Sequence, residues 1–240
     1  MIGTLVNAGA IMLGGLIGLI LKKGIRESWT YSINKAVGIA VLVIGLNGVI
    51  SNMITVGEGG KLSSSGELLV VISLIVGTFI GEVLKLDDHM EKFSKSIEGK
   101  FKVGGFAASF MNATILFCVG AMAILGALQD GLTGDSTILF AKAVLDGVTA
   151  IIFGATLGIG VVFSAIPVLI YQGLIALLAG FLSKYLQGDL LVQICSVGYA
   201  IILAIGFNFL LKERIKILNM LPAIFIPVVW FAIQKLIALF

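Results

Sequence analysis

Ile2-Gly-Thr-Leu-Val-Asn-Ala-Gly-Ala-Ile-Met-Leu-Gly-Gly-Leu-Ile-Gly-Leu-Ile-Leu-Lys22 holds no ionisable side chain before the lysine that closes it. A helix rises about 1.5 Å per residue and a hydrocarbon core is about 30 Å thick, so roughly 20 such residues make one membrane crossing. No basic leader or cleavage site precedes the run, so it reads as a retained span rather than a signal peptide.

The same ruler marks further segments at about 34–54, 67–86, 108–129, 138–163, 167–186, 189–211 and 220–239. The expected fold is therefore all-α, a polytopic transmembrane helix bundle of about eight spans. It forms a single integral membrane domain over 1–240, with spans one to three in 1–86 and spans four to eight in 105–240. The join at Ser164-Ala-Ile-Pro167 reads either as a turn between spans five and six or as a kink within one. Between the two groups, Leu86, Met90, Phe93, Ile97 and Phe101 recur at helical spacing among charged residues, which predicts an amphipathic cytoplasmic surface helix over 87–104.

Composition agrees. Only 12% of residues are charged and 59% are hydrophobic, and the mean hydropathy is +1.14, so lipid is the solvent for much of the exterior. The 31 glycines against three prolines suit helices joined by close backbone packing. A net charge of +3 without a dense basic run argues against a nucleic-acid partner. Cys118 and Cys195 lie far apart inside apolar runs and read as small buried hydrophobes, with no metal or cofactor motif.

In the eight-span reading, Lys22, Lys23, Arg26, Lys35, Lys85, Lys92, Lys95, Lys100, Lys102, Lys212, Arg214 and Lys216 fall on one side. The other side holds Lys61, Lys142, Lys184 and Lys235. The basic side is expected to be cytoplasmic, which puts both termini outside the inner membrane.

The chain also resembles itself. Thr4-Leu-Val-Asn-Ala-Gly-Ala-Ile-Met-Leu-Gly-Gly15 parallels Leu169-Ile-Tyr-Gln-Gly-Leu-Ile-Ala-Leu-Leu-Ala-Gly180, and Ile44-Gly-Leu-Asn47 parallels Ile205-Gly-Phe-Asn208. A shift of five spans reverses direction, so spans one and two against six and seven make an inverted-topology internal repeat, a device of alternating-access transporters. A weaker echo relates Val76-Gly-Thr-Phe-Ile-Gly81 to Phe153-Gly-Ala-Thr-Leu-Gly158, giving Gly-xxx-Gly faces that also suit a homodimer.

Ionisable groups inside spans cost about 2.5–3.5 kcal/mol each at the helix centre, so each needs a reason. Lys142 and Asp146 stand four apart on one helix face and are positioned to pair. Asp130 follows Gln129 in a glycine-rich helix end, while Asp135 with Ser136 and Thr137 reads as a cap for the next helix. Asn7, Asn47, Asn112, Gln129, Gln172 and Asn208 carry amides that need partners in hydrocarbon and are expected to face the bundle interior. Together with Asp130, Lys142 and Asp146 they form the candidate solute or ion site. His89 is the sole histidine and lies in the surface segment, leaving no HExxH, Ser-His pair or GxSxG; no enzymatic activity is expected. The alternative to a permease is a non-transporting scaffold that assembles through its glycine faces and binds a partner through the surface helix.

Phe117-Cys-Val-Gly-Ala-Met-Ala-Ile-Leu-Gly-Ala-Leu-Gln-Asp-Gly-Leu-Thr-Gly-Asp135, Lys142-Ala-Val-Leu-Asp-Gly147 and Phe163-Ser-Ala-Ile-Pro-Val-Leu-Ile-Tyr-Gln-Gly173 resemble the YdfK/YqgA-like family of bacterial membrane proteins. So do Gly3-Thr-Leu-Val-Asn-Ala8 and Asn219-Met-Leu-Pro-Ala223. The resemblance implies a bacterial plasma membrane and no assigned activity. It places Asn7, Gln129, Asp130, Lys142, Asp146, Gln172 and Asn219 in signature blocks.

Overall fold

A computed structural model describes residues 1–22, 27–89, 91–92, 105–119, 121–183, 185–186 and 188–237. Helix dominates: α1 (Ile2–Lys22), α2 (Glu27–Met53), α3 (Glu67–Leu84), α4 (Phe106–Cys118), α5 (Ala121–Thr133) and α6 (Thr137–Leu157) come first. They are followed by α7 (Gly160–Phe163, continued by Ala165–Leu177), α8 (Gly188–Leu210) and α9. The last of these joins Ile217–Met220 through a tighter 3-10 stretch, Leu221–Phe225, to Ile226–Ile237. Of the surface helix expected over 87–104, residues 87–89 and 91–92 are helical and the rest lies outside the described residues.

Among the described residues seven helices are long and apolar enough to cross a membrane, and α4 with α5 pass the same test together as a pair bent by 61°. The chain folds into two compact units. The first comprises Met1–Lys35 with Met90–Tyr185, the second Ala36–His89 with Leu186–Phe240.

In the first unit α1 and α6 run parallel, seamed by glycine. A Cβ on Gly14 would stand 2.3 Å from the Gly147 carbonyl oxygen, and one on Gly18 would stand 2.2 Å from that of Ile151. Contact this close is how helices gain dispersion energy in lipid, where apolar burial supplies little drive. The start of α4 lies against Gly160, near the end where α6 finishes, whereas Gly131 of α5 touches Ala176 and Asp130 meets Met1, at the end where α1 begins. The α4–α5 pair therefore passes from one end of the unit to the other, so it is a broken span and not a re-entrant loop. Span four, expected as a continuous helix over 108–129, is thus two half-helices.

The turn between spans five and six is at Gly158 rather than at Pro167. Gly158 has φ 102° and ψ −158°, a region open essentially to glycine alone. Pro167 sits in the first turn of the Ala165–Leu177 helix, where its missing N–H is an orphan in any case. Spans five and six accordingly run 137–157 and 160–177.

In the second unit a short hairpin, β1 (Ile54–Val56) with β2 (Leu62–Ser64), joins α2 to α3 and pairs Thr55 with Ser63. Gly38 of α2 packs against Phe209 of α8, and Gly48 against Tyr199, so these helices are antiparallel. α3 is likewise antiparallel to α9, with Gly77 against Ala223 and Gly81 against Asn219. The Gly-xxx-Gly face of α3 is thus used within the unit. At the end of the unit remote from the hairpin, Asn219 Oδ1 accepts from the Asp87 backbone N–H at 2.9 Å, Arg214 lies 3.5 Å from Asp87, and Lys216 donates to Glu82 at 3.2 Å. The hydrogen bond and charge of Glu82 hold the Lys216 ammonium above its ordinary range.

Candidate functional site

Polar side chains in the first unit form a line along α1. Thr4 and Asn7 are one turn apart, so they share a face, and both are buried. Where α1 starts, the Met1 amine lies 2.9 Å from Asp130 Oδ1, and the Ser136 hydroxyl donates to the same oxygen at 2.6 Å. Ser136 Oγ in turn accepts from the Gly3 backbone N–H at 3.2 Å, and the Thr4 N–H bears on the Asp130 carboxylate. One turn further on, Asn7 Nδ2 donates to Gln172 Oε1 of α7 at 3.2 Å.

Lys142 Nζ donates to Asp146 Oδ2 at 2.5 Å, across one turn of α6, with both side chains about nine-tenths buried. The Asn7 amide bears on this carboxylate. The Cys118 thiol, at the end of α4 where the broken span interrupts, lies within electrostatic range of both charges. The helix interruption, the ion pair and the amide pair are therefore neighbours.

Several of these groups are incompletely bonded. Thr4 Oγ1, Asn7 Oδ1, Asp130 Oδ2 and Gln172 Nε2 have no hydrogen-bond partner, although Asn7 and Gln172 are 0% exposed and Asp130 only 3%. An unmet buried polar group costs about 1–3 kcal/mol in proteins, and hydrocarbon offers nothing in compensation. The set contains acceptors, a hydroxyl and an amide donor, the inventory that suits a small polar guest or bound water.

The other expected site residues are elsewhere. Gln129 donates to Asp135 at 2.6 Å in the exposed turn. Asp135 accepts from the Thr137 hydroxyl and backbone N–H, as a cap does, and these bonds hold its carboxyl below the ordinary range. Asn112 is buried on α4. Asn208 closes the turn after α8 by exchanging two bonds with the Ile215 backbone. Asn47 lies on an exposed face of α2 and does not face the interior, because the adjacent Gly45 and Gly48 are the residues turned to α8. Thr4 and Ser136 were not among the residues expected at the site. Hydroxyls recur in apolar helices, and only their contacts with Asp130 and α1 single them out. Among the described residues no cluster of His, Cys, Asp and Glu is arranged to hold a metal ion.

Comparison with known proteins gives a family without an assigned activity. The family described as "Protein of unknown function (DUF554)" matches residues 2–232. "Uncharacterized membrane protein YdfK" of Bacillus subtilis (strain 168) is 33% identical over 227 residues, covering 95% of this chain and 94% of that one. "Uncharacterized protein YqgA" of Escherichia coli (strain K12) is 29% identical over 245 residues, covering 96% and 99%. No solved structure matches this chain. With the family match covering nearly the whole chain, the chain belongs to the DUF554 family of proteins of unknown function.

Proposed function

We propose that this protein is a permease for a small polar solute or ion, with the site in the first unit between α1, α5, α6 and α7. The observation that carries the reading is the set of unpartnered, fully buried polar atoms of Thr4, Asn7, Asp130 and Gln172 beside the Lys142–Asp146 pair. Ser73, Asp87 and Thr114 also carry such an atom, but the first-unit set is a line of four beside a buried ion pair, the arrangement a binding site leaves for its guest. The interrupted α4–α5 crossing adds support, since discontinuous helices supply free backbone dipoles at transporter sites.

The inverted repeat is part of the proposal. Asn7 and Gln172 occupy equivalent positions in the two matched blocks and bond to each other, as residues beside a pseudo-twofold axis do. Spans two and seven pack antiparallel on one another, and so do spans three and eight. Within the second unit, an in-plane axis relating spans two and three with seven and eight requires each pair to be antiparallel. The asymmetry of lysine and arginine puts both termini outside the inner membrane under this reading.

The test is a thermal-shift screen of the purified protein against sodium, potassium, ammonium, amino acids and small organic acids. Each hit is repeated on the Asn7→Leu, Gln172→Met double variant. A compound that stabilises the parent and not the variant is the expected result. Equal shifts in both proteins, or none across the panel, would overturn the assignment.

A further inference from the structure

We propose that the second unit binds a single-chain amphiphile with a cationic amine head, at a site separate from the polar line of the first unit. Two adjoining cavities make it. An apolar one of about 550 Å³ lies between α3, α8 and α9 and is walled by Ile72, Val76, Ile226, Val229, Trp230 and Ile233. A polar one of about 230 Å³ is walled by Asn52, Ser65, Asp189 and Ser196 among others. Gly66 and Gln193 line both, so the greasy slot borders the polar recess at the hairpin end of the unit.

The charges at the junction choose the head group. Asp189 lines the polar recess and Glu67 the mouth of the slot, and among the described residues neither wall contains lysine or arginine. Both acids stand in the first turns of their helices, whose dipoles place about half a positive charge at each N-terminus. The two carboxylates outweigh the two dipoles by about one negative charge, so an ammonium is favoured over a carboxylate, phosphate or neutral alcohol. Asn52, Ser65 and Ser196 offer the hydrogen-bonding oxygens that an ammonium's three N–H groups need. The chain of the amphiphile takes the slot beside Trp230.

Trp230 makes the site measurable. Protein carrying Trp29→Phe retains Trp230 as its sole tryptophan. It is titrated in neutral maltoside micelles at pH 7 with 11-bromoundecylamine, 11-bromoundecanol and 11-bromoundecanoate, whose bromine quenches indole fluorescence on contact. The amine should reach half-quenching at about fivefold lower concentration than the alcohol, the upper size of one partly solvated ion pair, and the carboxylate should be weakest. Asp189→Asn should bring the amine to the level of the alcohol. Because the head-group ranking is read before that variant is made, it stands even if Asp189→Asn fails to fold. Equal quenching by all three heads overturns the proposal in favour of a generic lipid groove. Absence of quenching by any of them overturns it in favour of a covered face, with a dimer by native mass spectrometry naming a second copy as the cover.

Discussion

Lys142 and Asp146 show how the membrane solvent sets the value of a contact at the scale of one residue. Their pairing is the half of the site legible in the sequence, since two opposite charges four apart in an apolar run have few other uses. What they stand beside was not legible: Asn7 comes from 135 positions earlier in the chain and Cys118 from the end of a half-helix. Removing one partner leaves an uncompensated buried charge, so Asp146→Asn should destabilise the protein by about 3–5 kcal/mol, read as loss of chemical or thermal stability in detergent. The double change Lys142→Met, Asp146→Leu should recover most of that loss. If Asp146→Asn is as stable as the parent, the pair is not buried as described.

Elements were readable where length and apolarity decide them, because a crossing must be long and uncharged whatever it packs against. Breaks were not. Cys118-Val-Gly-Ala121 contains no proline and continues an apolar pattern, so only packing against the neighbouring helices reveals that the crossing bends there. The join at Pro167 reads from sequence as either a turn or a kink, yet a proline in a first helical turn is tolerated and Gly158 bears the reversal. Gly158→Ala should therefore cost about 1–3 kcal/mol, against less than that for Pro167→Ala. The seam between α1 and α6 makes a companion test. Gly18→Ala should be strongly destabilising, because its Cβ would meet the Ile151 carbonyl at 2.2 Å, whereas Gly9, with nothing within 4 Å, should accept alanine without loss. Thermal unfolding of the four variants checks both points; equal tolerance at Gly9 and Gly18 would contradict the packing.

For the molecule as a whole, the account turns on orientation and on water. In the second unit the hairpin around Lys61 and the turn around Lys212 lie at opposite ends, since α2 leads from one to the other alongside α8. Lys61→Cys should react with a membrane-impermeant maleimide in intact cells and Lys212→Cys only after lysis, in a background lacking both native cysteines. The reverse pattern would invert the proposed topology. The central claim, that the buried polar line of the first unit is a permease site which water and solute reach when the protein opens, is tested most directly at Cys118. With Cys195 replaced by alanine, a small charged methanethiosulfonate should label Cys118 in protein reconstituted in bilayers. Labelling by a membrane-permeant maleimide alone would show that the polar groups are sealed from water, and would contradict the claim.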